Sequence, residues 1–157
     1  VAEAASTVMV PGRMEVVGEA PLVILDGAHN GAGMAAVADA LPEVIGERPL
    51  TVVISILDDK DASAMLDALL PLADNVVFTR SSNPRALPPG TLMHLAERPD
   101  GVTVGDPEAA LERADQISDM ITIAIVAPAR IPIATGSFIV GPPPCAISVP
   151  LEPFRSV

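Results

Sequence analysis

Leu22-Val23-Ile24-Leu25 is a run of four apolar residues closed by Pro21 before it and by Asp26-Gly27 after it, and few architectures can accept such a run. It is too short for a buried helix and has no polar alternation, so it reads as a strand covered on both faces, as in a parallel sheet. Asp26 then lies at the carboxyl end of that strand. Gly27 permits a turn, and Asn30 can cap a helix from about Gly31 to Leu41, where Met34, Val37, Ala38 and Leu41 recur at helical spacing. The free N–H groups of that helix start point at the space above Asp26, a natural seat for a phosphate or carboxylate.

The same alternation recurs along the chain. Pro11-Gly12-Arg13 makes a turn that leaves Arg13 on a rim, and Met14 to Val17 alternates as a half-exposed or edge strand. Leu50 to Leu57 is a second apolar strand ending in Asp58-Asp59-Lys60-Asp61, and Asp61 or Ser63 opens a helix over Ala62 to Leu70. Asn75 to Thr79 is a third, followed by the cationic loop Arg80 to Ala86 and a helix begun by Pro88 or Pro89. Gly101 to Val104 is a short strand. Asp106-Pro107-Glu108 then opens a helix carried, with a possible break, to about Thr122, before a last outer strand at Ile131 to Thr135. Strands and helices in this order predict a three-layer α/β domain, a mostly parallel sheet of about six strands with helices on both faces. Ligands in such sheets sit beyond the carboxyl ends of the strands, which here carry Asp26, Asp58, Thr79 with Arg80, and Thr135 to Ser137.

Composition narrows the function. The 157 residues suit one domain; residues 1–10 read as a linker remnant, 11–141 as the domain and 142–157 as a proline-rich tail, extended or disordered. Half the residues are hydrophobic but only 2 % are aromatic, so the core is aliphatic and stacking on bases is disfavoured. A net charge of −11 excludes a nucleic-acid backbone as partner. The single Cys145 and the distant His29 and His94 supply no disulfide and no zinc set, and the expected setting is the cytoplasm. Ile117 to Val126 is interrupted by Ser118 and Asp119, far short of the roughly 20 apolar residues of a membrane span. The start, without an initiator Met, reads as cut from something longer.

Asp26 can hold a ribose hydroxyl, a metal or an ammonium group, or can be satisfied by nearby loop N–H groups. His29 stands beside a positive helix end, a poor place for a structural proton. Arg13 offers a fork for phosphate or carboxylate, or is a surface arginine. Asp59-Lys60-Asp61 reads as a solvated helix start, and His94 as a partly buried, satisfied side chain. Ser137 can bind a carboxylate or cap a turn. No complete dinucleotide fingerprint and no P-loop follow any strand.

Together, Pro11-Gly12-Arg13, Asp26-Gly27-Ala28-His29-Asn30, Asp59-Lys60-Asp61, Asn83-Pro84-Arg85-Ala86 and Thr135-Gly136-Ser137-Phe138 with Gly141 make an ordered series. It resembles the carboxyl-terminal domain of folylpolyglutamate and dihydrofolate synthases, in the Mur ligase superfamily. The resemblance implies a Rossmann-like domain of an ATP-dependent ligase that activates a folate or pteroate carboxylate as an acyl phosphate and joins L-glutamate to it. It implies nucleotide-facing roles for Arg13 and Asp26, with Arg13 at the phosphates and Asp26 near the ribose. His29 and Ser137 would place glutamate, and His29 and Asp26 would be the catalytic pair. Mg2+ ligands and the P-loop belong to the family's amino-terminal domain, absent here, so the chain alone is expected to be inactive. Gly31 stands where the family usually has Pro, and the residues from Ala127 to Arg130 and after Gly141 depart from its usual finish. The rival expectation is a non-catalytic nucleotide- or protein-binding module on the same fold.

Overall fold

Strand β2 (Leu22–Asp26) forms where the apolar run predicts it, and it pairs on one side with the edge strand β1 (Glu15–Glu19) in an antiparallel hairpin. A computed structural model describes residues 12–117 and 121–126, the last six by their backbone. The remaining strands are β3 (Thr51–Ser55), β4 (Asn75–Phe78), β5 (Val102–Thr103) and β6 (Ile121–Val126). They assemble in the order β1-β2-β6-β3-β4-β5, and every pairing except β1 with β2 is parallel. A bulge between Val16 and Gly18 kinks β1, a common way of blunting an exposed edge.

The helices are α1 (Gly31–Ile45), α2 (Ala62–Leu69) with a 3₁₀ turn at Leu70–Leu72, α3 (Pro89–Leu95) and α4 (Pro107–Ile117). Alternation along each strand decides which layer a side chain joins. Ile24, Val52, Ile54, Val76 and Phe78 point into one core with α1, α2 and α3, whereas Val53 and Val77 meet Ala110 and Ala114 of α4 on the opposite face. The three layers expected from the sequence are thus present, with unequal cover. Each fully buried aliphatic side chain in these layers stabilises the fold by about 1.5–3 kcal/mol.

Two helix ends move furthest from their expected places. Helix α1 does not stop at Leu41 but runs through Pro42 to Ile45. Met34, Val37, Leu41 and Ile45 form one buried stripe, so packing carries the helix a further turn despite the N–H that Pro42 lacks, and Gly46 closes it by donating to the Pro42 carbonyl at 3.0 Å. Helix α4 ends at Ile117, and Ile121-Thr122 is strand rather than helix. The sequence Ile-Thr-Ile-Ala-Ile-Val is β-branched at five of six positions, a composition that loses rotamer freedom in a helix and suits a pleated strand. The strand expected at Ile131 to Thr135, together with Ser137, Cys145 and the tail, lies outside the described residues.

Candidate functional site

The carboxyl end of β2 is built by backbone as much as by side chains. Asp26 is buried, and both its oxygens are engaged: Oδ1 accepts from the Ala28 N–H at 2.6 Å and Oδ2 from the Met14 N–H at 2.8 Å. Satisfaction by loop N–H groups is therefore what the structure gives it. The Gly27 N–H donates to the Gly12 carbonyl at 2.7 Å, and the Gly12 N–H to Glu15 Oε2 at 2.8 Å. A Cβ on residue 27 would lie 3.3 Å from the Gly12 oxygen, which explains a glycine at this approach. Met14 is no strand residue; its φ of 43° and the 69° of Gly12 put the two neighbours of Arg13 in the left-handed region. Between them, Arg13 stands exposed at the rim.

Beyond Gly27 the chain enters α1. Asn30 caps it, its side chain accepting from the Gly33 N–H at 2.7 Å, while the N–H groups of Gly31 and Ala32 have no helical acceptor and point out of the helix end. His29 is exposed, with Nδ1 3.1 Å from the Gly27 carbonyl. A carbonyl only accepts, so in this contact Nδ1 is the donor and Nε2 is not engaged by it. Arg13, Asp26 and His29 are thus brought to one strand end beside an electropositive helix start, an arrangement suited to holding an anion.

A second set of loops covers the ends of β3 and β4. Asp59 pairs with Lys60 at 3.0 Å and with Arg85 at 3.1 Å, and the Asp58 N–H donates to the Arg85 carbonyl. The hydrogen bond from Lys60, helped by the Arg85 charge, holds the Asp59 carboxyl below its ordinary range. Asp61 caps α2 through the Ala64 N–H at 3.0 Å. An added Cβ at Gly31 would sit 3.4 Å from Ala64 Cβ, so the two loop sets adjoin. His94 is exposed on α3, not partly buried.

Of the polar groups beneath these loops, sequence reasoning placed Thr79 at a strand end but singled out neither Ser55 nor Ser81. Ser55 Oγ accepts from the Ser81 N–H at 3.0 Å, while Thr79 Oγ1 and Ser81 Oγ, both buried, have no hydrogen-bond partner among the described residues. A hydroxyl in that position costs stability and an isosteric methyl does not. Thr79→Val is expected to raise the unfolding free energy by about 1 kcal/mol in urea denaturation. A loss of that size would reveal a partner for the hydroxyl. Among the described residues no group of three His, Cys, Asp or Glu side chains comes together that could hold a metal ion, and no helix is long and apolar enough to cross a membrane.

Residues 12–130 match the family described as Mur ligase, glutamate ligase domain. The chain belongs to that family. Within it, the domain is 45 % identical over 77 residues to the dihydrofolate synthase/folylpolyglutamate synthase of Mycobacterium tuberculosis, a match covering 49 % of this chain and 16 % of that protein. The solved Mycobacterium tuberculosis folylpolyglutamate synthase complexed with ADP superimposes with a TM-score of 0.72 at 36 % identity, over 78 % of this chain and 30 % of that one. A bifunctional folylpolyglutamate synthase/dihydrofolate synthase solved with Mn, AMPPNP and L-glutamate gives 0.69 at 29 % identity, over 77 % and 29 %. This Mur ligase domain therefore spans under a third of the solved chains it matches.

Proposed function

We propose that this chain is the carboxyl-terminal domain of an ATP-dependent ligase that joins L-glutamate to a folate or dihydropteroate through an acyl phosphate. The observation that carries this reading is the gathering of exposed Arg13, exposed His29 and the α1 start over one strand end, in a family whose relatives are folylpolyglutamate synthases. Nucleotide-bound and glutamate-bound relatives support the ligand classes. Arg13 meets the phosphates, where its fork stabilises the charge that grows as phosphoryl transfer proceeds. Asp26 lies on the nucleotide side, near the ribose. The Nε2 of His29 accepts from the ammonium group of incoming glutamate, and Ser137 takes its carboxylate.

In this reading the reaction needs a companion P-loop domain, which also carries the Mg2+ ligands and most of the folate site. The acyl phosphate forms when a substrate carboxylate oxygen attacks the terminal phosphorus of ATP and ADP leaves. The glutamate amine then attacks the acyl carbon, releasing phosphate. This chain supplies one wall of the cleft and by itself turns over no substrate.

A backbone amide NMR titration with Mg-ATP and then glutamate tests the reading, since a chain without Trp or Tyr gives no useful intrinsic fluorescence. Shifts are expected at Gly12 to Met14 on addition of nucleotide and at Asp26 to Asn30 with both ligands, and the nucleotide shifts are lost in Arg13→Ala. The same response in the variant would favour a non-catalytic module, and no response at millimolar ligand would move the test to the chain joined to a companion P-loop domain, where a continued lack of response favours that module.

A further inference from the structure

We infer that Asp26 is a positioning residue for Arg13: its carboxylate fixes the Gly12-Arg13-Met14 loop, so that phosphate recognition here depends on Asp26 even when no ribose is present. This rests on the reading that Arg13 meets phosphate. Three observations converge on it. Asp26 is 4 % exposed, and each of its oxygens already accepts a backbone N–H, one of them from Met14, twelve residues upstream. The donor, Met14, holds a φ of 43°, a conformation a side-chain-bearing residue adopts at a cost and keeps only when its surroundings over-determine it. With Gly12 also left-handed and its carbonyl tied to the Gly27 N–H, the backbone is pinned on both sides of Arg13 while the Arg13 side chain itself stays exposed.

The chemistry of the pair of donors explains why the residue is an aspartate. Two N–H groups approaching from different segments need two acceptors. Asparagine offers one oxygen and turns its NH2 against the other donor. Glutamate is a methylene too long for the same reach. The Met14 side chain packs on the edge of the main core and anchors the far end of the loop, so the carboxylate bond and the packing act on the same residue.

Binding of inorganic tripolyphosphate, which has no ribose, to the whole chain tests this. Arg13→Ala and Asp26→Asn are each expected to weaken it about tenfold, and the double variant to be no weaker than Arg13→Ala alone. Met14→Pro deletes the N–H and forbids the left-handed φ while leaving the Asp26 carboxylate in place, and is expected to weaken binding equally. If Asp26→Asn bound tripolyphosphate like the parent while losing ATP, the aspartate would act on the ribose and the inference would be overturned. If Arg13→Ala bound tripolyphosphate like the parent, the phosphate reading of Arg13 would fail instead. Hydrogen exchange decides the positioning without any ligand: in Asp26→Asn the Met14 amide should exchange at least tenfold faster while those of Val53 and Val77 stay protected. An unchanged Met14 amide would sink the proposal whatever the binding data.

Discussion

Glutamate ligation by a full-length enzyme carrying this domain is expected to fall by on the order of a hundredfold or more when Arg13 becomes alanine, with the fold intact. The side chain is exposed, and every hydrogen bond that shapes its loop is made by backbone or by Asp26 and Glu15, so truncation removes a charge and leaves the loop. Surface substitutions of this kind change stability by roughly 0.5 kcal/mol or less. Arg13→Lys should recover only part of the rate, because an ammonium keeps the charge and loses the planar fork. Steady-state kinetics with ATP varied, beside a thermal melt of each variant, checks the result. Wild-type turnover in Arg13→Ala would reduce Arg13 to an ordinary surface arginine.

The largest loss of stability is expected at Phe78. It is fully buried at the end of β4, and it is the one Phe, Tyr or Trp among the described residues. Its ring lies so close to Gly101 that a Cβ there would come within 2.6 Å of Cε2, so the ring fills the space between β4 and the turn into β5. An otherwise aliphatic core has no neighbour large enough to close that gap. Phe78→Ala should cost about 3–5 kcal/mol in urea denaturation, against about 1 kcal/mol or less for Phe78→Leu if the cluster repacks. Equal losses in both would mean that ring shape, not volume, is what the site requires.

Much of this structure could be read from local pattern. β2, β3 and β4 are compact apolar runs punctuated by Pro, Gly or Asp, and Asn30 and Asp61 announce the helices they cap. β6 escaped because Ser118-Asp119 and the following Thr122 looked like a helix fading out, while the weight of β-branched residues went uncounted. The site divides in the same way. Arg13 on a turn and His29 before a helix are local facts, whereas the bond from Asp26 to Met14 crosses twelve positions and needs a left-handed methionine that no spacing rule proposes. The joint burial of the Ser55, Thr79 and Ser81 hydroxyls was illegible for a related reason, since small polar residues at strand ends are common and only the fold brings them together out of water.

The position of β6 bears on how the polypeptide emerges from the ribosome. It is the last described strand to be synthesised, yet it belongs between β2 and β3, so the hairpin of β1 and β2 and the ribbon of β3, β4 and β5 share no ladder until it arrives. A nascent chain that ends before Ile121 therefore presents two half-sheets, each with an open, hydrogen-bond-hungry flank. Closure of the described sheet waits on β6, and until then the helices α1 and α2, packed on one another, hold the halves in company.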